Sequence, residues 1–265
     1  MNFVKLITLF ICFFIETRGF CDVPVHFQFV FGPSPDRAKN LKAKDLFDSQ
    51  LQIDLAESAA RGDTNQLQKL IDRGADVNNQ GRKGMKPLFW ALIRENLEGF
   101  KFLLDHGADP NAAVAIMQPP PENALTLAAS MNDSRYLKEL LKHGANPNLA
   151  VGNPSPQTAI FTASFYRQTN SISILLEYHA DIDWKDTSNN TALHRAVYEG
   201  SYESALFLYK NGADPLIKNS FGYTTVDTMK KYGDRGQTSS SDKRAFKALL
   251  DEFRKNGLLG ALQAK

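Results

Sequence analysis

Cysteine is nearly missing from this 265-residue chain, which has only Cys12 and Cys21. Cys12 lies inside an apolar leader. Once the leader is removed at most one thiol remains, so no internal disulfide forms and stability rests on packing. No dense Lys/Arg run occurs and the formal net charge is +2. Nucleic-acid binding and polybasic membrane binding therefore have no compositional support. The leader's apolar core, Leu6–Ile15, has ten residues, against the roughly 20 that a spanning helix needs.

The motifs of catalysis are missing too. There is no GxSxG, no phosphate-binding glycine loop, no HExxH and no metal-type spacing of His and Cys. The stretch "GRKGMKP" at 81–87 is rich in Gly and Lys but lacks the P-loop spacing. Asp and Glu are scattered, so no acid/base pair stands out. These absences point away from an enzyme and from a bound metal, cofactor or small-molecule substrate.

What the chain has is a repeat. The segments "RGADVN" (73–78), "HGADPN" (106–111), "HGANPN" (143–148), "HADID" (179–183) and "NGADPL" (211–216) align on Ala75, Ala108, Ala145, Ala180 and Ala213, spaced 33, 37, 35 and 33 residues apart. Leu55, Leu88, Leu125, Ile160 and Leu193 each lie 20 residues before one of these alanines, while the forward gaps to the next marker run 13, 17, 15, 13 and 13. One half of the unit has fixed length, as a packed core demands. The other half carries every insertion, as a surface loop tolerates.

The fixed half reads as two short helices. In "KPLFWALIRENLEGFKFLLDHG", Leu88, Ala91 and Leu92 share one face, and Leu97, Phe100, Leu103 and Leu104 share the next. Spacings of three and four give each helix one apolar stripe, and Gly107 suits a left-handed stop. Ahead of the repeats, Val25, Phe27, Phe29 and Phe31 alternate as a strand does. Pro33 and Pro35 end that run, and "DRAKNLKAKDLF" follows as a short helix.

A period near 33, "TALHRAVYEG" at 191–200 and the recurring "GADPN" resemble ankyrin repeats. The resemblance implies an all-α solenoid of about six helix-turn-helix units with β-hairpin fingers. A strand/helix extension over 22–50 precedes the array at 51–257, and 258–265 form a tail. The last unit diverges: "DRGQTSSSDK" separates its helices, and its second helix is longer and charged, as suits the soluble end of an array. Some residues depart from the family pattern. His179 replaces a turn glycine, and Glu95, Asn132 and Arg167 replace the glycine between paired helices, which should loosen those turns. Of the five histidines, the resemblance explains His106, His143, His179 and His194, the last by a hydrogen bond between repeats. His26 stays unassigned.

The resemblance also implies a protein partner, bound on the concave face and the fingers. The first-helix candidates are Trp90, Arg94, Met131, Phe165, Tyr166, Arg195 and Tyr198. On the fingers they are Trp184 and, in the lengthened "AAVAIMQPPPEN", Ile116 and Met117, stiffened by Pro119–Pro121. Large aromatics and Arg are the usual interface hot spots.

The leader reads as an export signal, 1–21, cleaved after Gly19 or after Cys21. Lipid attachment at Cys21 is disfavoured by bulky Phe20 before it. With the repeats, this resembles exported bacterial ankyrin-repeat proteins, including immunity proteins that neutralise type VI secreted phospholipase effectors. The expectation is a periplasmic protein-binder, monomeric when free. A periplasmic scaffold or stress-protection factor and a secreted host-targeting effector stay open as alternatives.

Overall fold

The computed structural model describes residues 41–114, 122–152, 156–232 and 240–259, with the side chains of Lys83, Glu122 and Tyr232 left aside. The chain divides into two units, 1–31 and 32–265, and the description concerns the second alone. The leader, the strand expected over Val25–Phe31, Ile116, Met117 and the 258–265 tail beyond Leu259 lie outside the described residues.

After α1 (Ala43–Leu46) come six helix pairs: α2 (Gln50–Arg61) with α3 (Thr64–Asp72), α4 (Pro87–Ile93) with α5 (Leu97–Asp105), α6 (Ala124–Ser130) with α7 (Arg135–Lys142), α8 (Ala159–Phe165) with α9 (Thr169–Glu177), α10 (Ala192–Tyr198) with α11 (Tyr202–Lys210), and α12 (Thr225–Tyr232) with α13 (Ser240–Lys255). Each pair packs on the pairs before and after it, an all-α solenoid. The periodic markers Leu55, Leu88, Leu125, Ile160, Leu193 and Val226 are all buried, and so are the five repeat alanines. Burying one such Leu or Ile contributes about 1.5–3 kcal/mol, which is why the 20-residue half resists insertion.

The recurring Gly-Ala is a helix stop. At the ends of α3, α5, α7 and α11, Gly74, Gly107, Gly144 and Gly212 are left-handed, with φ between +83° and +98°. The following alanine N–H closes on a carbonyl five residues back, as in Ala108 N to Leu103 O at 2.9 Å. His179 takes the same turn at φ +63°, and Ala180 N still reaches Leu175 O at 2.9 Å. Glu95 (φ +54°) and Arg167 (φ +61°) likewise keep the left-handed turn between paired helices. Asn132 does not. Met131 before it is extended (φ −77°, ψ 151°), and α7 begins after a four-residue link, 131–134. The chain there takes another path, and α7 is one residue shorter than α5 and α9.

The fingers are less sheet-like than expected. Among the described residues, β1 (Ala113–Val114) and β2 (Glu122–Asn123) pair antiparallel at the base of the longest finger. One bridge joins Val151 and Gln157 in the next longest. The other three close as turns, with Gly81 N to Met85 O (2.9 Å), Asp186 N to Asn190 O and Asn219 N to Tyr223 O (both 3.0 Å). The two fingers that pair as strands are the two that carry inserted residues.

Neighbouring fingers are instead tied by side chains. The Asn78 carboxamide accepts from Asp109 N (2.8 Å) and donates to Gly107 O (2.8 Å). Asn111 does the same with Asn146 N (2.8 Å) and Gly144 O (3.4 Å), and Asn148 with Asp181 N (2.7 Å) and His179 O (3.2 Å). Asp183 accepts from Asp214 N at 3.0 Å but has no amide to donate. Leu216, next in register, ends the series.

Both ends of the array are covered. At the first, Ala43, Leu46 and Phe47 are buried. Phe47 meets Trp90 edge-on at 6.4 Å, and the Arg94 guanidinium donates to Leu41 O. A Cβ on Gly81 would sit 2.2 Å from Leu46 O, so only glycine lets the first finger pass this segment. At the other end α13 lies along α11, with Tyr202 on Phe246 and Tyr209 on Phe253 at 4.9 and 4.8 Å.

Candidate functional site

Phe165 and Tyr166 close α8, one at its last residue and one just past it. Arg195 and Tyr198 stand one turn apart on α10 of the next unit. Their local sequences place them there: Ala163 with Ser164, and Ala196 with Val197, face inward, fully buried, so Phe165, Tyr166, Arg195 and Tyr198 fall on the other side of their helix ends. Phe165 and Tyr166 meet edge-on at 5.0 Å. The Arg195 guanidinium lies 5.1 Å from the Phe165 ring centre, and its Nε sits 3.3 Å from Glu199 Oε1. Tyr166 is exposed, while Phe165, Arg195, Tyr198 and Glu199 are half-buried.

This pair of charges is partly dry. Burial pushes the Glu199 carboxyl above its usual range, against the pull of Arg195. Burial likewise lowers Arg195, against the carboxylates of Glu199 and Asp186. A guanidinium stacked on one ring and held by one carboxylate suits recognition of a partner's surface. Among the described residues no group of three or more His, Cys, Asp and Glu is placed to hold a metal.

Other candidates fall elsewhere. Trp90 is fully buried against Phe47, which corrects its place among contact residues: the N-terminal segment covers it. Arg94 lies 4.2 Å above the Trp90 ring and binds Leu41 O, so it serves that same cover. Met131 is half-buried and packs against the core. Trp184 is no bare finger residue: it meets Phe161 edge-on at 5.4 Å and is half-buried.

Three histidines tie neighbouring units together. His106 and His143 each bond a carbonyl of their own helix end, at 2.7 and 2.8 Å. Each also reaches the preceding unit, at Gln68 (3.1 Å) and Asp105 (3.0 Å). His194 caps α10 with Thr191 and crosses to Tyr223 O at 3.3 Å.

Sequence reasoning missed the fifth finger. Among the described residues the exposed large apolar side chains are Tyr166, Leu216, Phe221 and Tyr223, at 36%, 54%, 44% and 40%. Three of these four lie on residues 214–224. "FGYTT" carried the signal, two aromatics around a glycine turn, but it reads most simply as the lead-in to α12.

Comparison with known proteins agrees with this geometry. The family model described as ankyrin repeats (3 copies) matches residues 55–151 and 125–219. Among solved structures, the chain is 27% identical to one from a predatory endopeptidase of Bdellovibrio bacteriovorus in complex with an immunity protein. That match covers 76% of this chain and 98% of the other, with a TM-score of 0.59. A crystallised ankyrin repeat domain from Acinetobacter baumannii AYE, 20% identical over 73% of this chain and 96% of its own, shares the fold with a TM-score of 0.61. Curated relatives include a palmitoyltransferase of Lachancea kluyveri (28% identical over 58% of this chain) and the human mitochondrial disaggregase (26% over 65%). The chain spans only 21% and 24% of their lengths.

Proposed function

The chain belongs to the ankyrin-repeat family, and on that premise we propose that it is an exported protein-binding module that captures and neutralises a hydrolytic effector, as an immunity protein does. The carrying observation is the cluster of Phe165, Tyr166, Arg195 and Tyr198 across two successive units. It gathers the residue types that dominate binding hot spots on a rigid scaffold. The similarity to a chain from an endopeptidase–immunity protein complex supports an effector enzyme as the partner. The leader, read as an export signal, supports a periplasmic setting. A secreted lipase, such as a type VI phospholipase effector, and a secreted peptidase are the two partner classes this reading covers.

The second reading is a periplasmic scaffold. It is favoured by relatives in which a matching segment is a small part of a much larger protein. The test expresses the full chain, leader included, beside a hydrolase encoded next to its own gene and sent to the periplasm. Neutralisation predicts survival and a stable complex on gel filtration. A complex without survival favours the scaffold, and neither complex nor survival overturns the immunity reading.

A further inference from the structure

On the first helices, the positions two and six residues past each marker fall in one row along the array. Trp90 and Arg94 hold them after Leu88, Tyr166 holds the second after Ile160, and Arg195 and Glu199 hold both after Leu193. Tyr166 and Arg195 of the candidate cluster therefore share this row with Trp90 and Arg94. At α8 and α10 the row is exposed or half-buried, whereas Trp90 is fully buried. Its cover is the chain's own segment 41–48. Phe47 meets the indole edge-on, and Leu41 O takes the Arg94 guanidinium that lies over the same ring. The segment thus sits on one end of the row, using the two side chains there as a bound ligand would.

The cover fits its place but is held by few ties. The first finger makes room for it at Gly81, where a Cβ would lie 2.2 Å from Leu46 O and 3.1 Å from Phe47 Cδ1. Helix α1 is a single turn with no side-chain cap, and one turn is not stable alone. Asp48 pairs with Arg82 at 3.0 Å, but both side chains are exposed, where such pairs contribute little. The Arg94 bond goes to a backbone carbonyl, which any peptide segment supplies. The apolar anchors are Ala43, Leu46 and Phe47, about as many as the hot spot of a partner offers. Under the cover, the indole N–H of Trp90 has no hydrogen-bond partner among the described residues. A buried donor left unpaired is destabilising, so a competing segment with an acceptor for it has an advantage that this one lacks.

We propose that residues 41–48 are an autoinhibitory strap, an internal occupant of the binding row that a partner displaces to reach Trp90 and Arg94. In the closed form these two residues serve the cover; in the open form they extend the row by a cation and an aromatic ring. The inhibition rests on the reading of the chain as a protein-binding module, while the opening of the strap is a property of the chain alone.

The test uses the full chain with Trp184→Phe, which leaves Trp90 as its single tryptophan. Trp90 fluorescence should be blue-shifted and shielded from acrylamide. Adding Gly81→Ala puts a methyl group against Leu46 and Phe47 of the strap, at φ −73° where alanine is unstrained. The emission should then shift to the red and become open to quenching, with the helical circular-dichroism spectrum kept. Phe47→Ala should do the same. A peptide of residues 41–50 lacks the tether's effective concentration of about millimolar, so it is added up to that level. It should restore shielding to the Phe47→Ala chain, and the same peptide carrying Phe47→Ala should not. Unchanged quenching with Gly81→Ala, loss of the helical signal together with shielding in both variants, or no effect of the peptide would each overturn the strap. Against the neighbouring hydrolase of the survival assay, Gly81→Ala should tighten the complex about tenfold if the strap is closed about nine parts in ten. Equal or weaker binding overturns autoinhibition. If no form of the chain binds the hydrolase, neutralisation fails, and the strap stands or falls with the peptide.

Discussion

Single side chains decide how the units are tied and where a partner gains most. Tyr166 is exposed beside Phe165, and Arg195 stacks on that ring. Replacing Tyr166 or Arg195 with Ala should weaken the effector complex by about 2 kcal/mol for a true hot spot. Isothermal titration with an unchanged circular-dichroism spectrum checks this. Two histidines should titrate with opposite consequences. The Glu139 carbonyl, then Asp105, raise His143 above its ordinary value, and the folded state holds its proton more tightly. Its contribution is full below the unfolded value of about 6.5 and is lost as pH rises through the folded value. Burial lowers His194, so its contribution is full above about 6.5 and is lost as pH falls toward the folded value. Urea midpoints between pH 5 and 8 should show His143→Gln flattening the gain on acidification. A stable His194→Gln variant should instead flatten the loss.

At the scale of elements, the turns tolerate substitutions that the motif disfavours, because the helix-stop bonds are backbone bonds. His179 and Arg167 hold left-handed positions while Ala180 and Gln168 still close on carbonyls of the preceding helix, at 2.9 and 2.8 Å. Arg167 adds a tie of its own. Its guanidinium pairs with Asp242, buried at the start of α13, and donates to Gly200 O at 3.2 Å, so it joins units four, five and six. Arg167→Ala leaves a buried carboxylate without this cation and should cost about 3 kcal/mol. Asp242→Asn should cost less, since the guanidinium is 39% exposed and water can solvate it. Urea unfolding orders the two variants, and an equal or reversed order would contradict the tie.

For the whole molecule, stability is a sum of units and the interfaces between neighbours. Leu103 is fully buried in the second unit, and Leu103→Ala should cost about 2–5 kcal/mol. Because, among the described residues, the packing of units one and two on units four to six runs through unit three, that loss should split one unfolding transition into two. Hydrogen exchange would show the early phase in α2–α5, with α8–α13 still protected by packing and by Arg167. A single coincident transition for both ends would show stronger coupling than the contacts account for.

The 33-residue period, the fixed 20-residue half and the Gly-Ala stops were legible in the sequence, because helix periodicity and left-handed turns are local properties of a few adjacent residues. These determined the helix pairs, their order and their buried faces. Which large side chains remain at the surface depends on what lands beside them. Trp90 reads as a contact residue until Phe47 and Arg94 close over it, and Trp184 as a bare finger residue until Phe161 meets it. Phe221 and Tyr223 read as the lead-in to α12 until the structure shows them, with Leu216, exposed on the last finger. Exposure is a property of neighbours distant in the chain, so only the tertiary structure decided where a partner has something to hold.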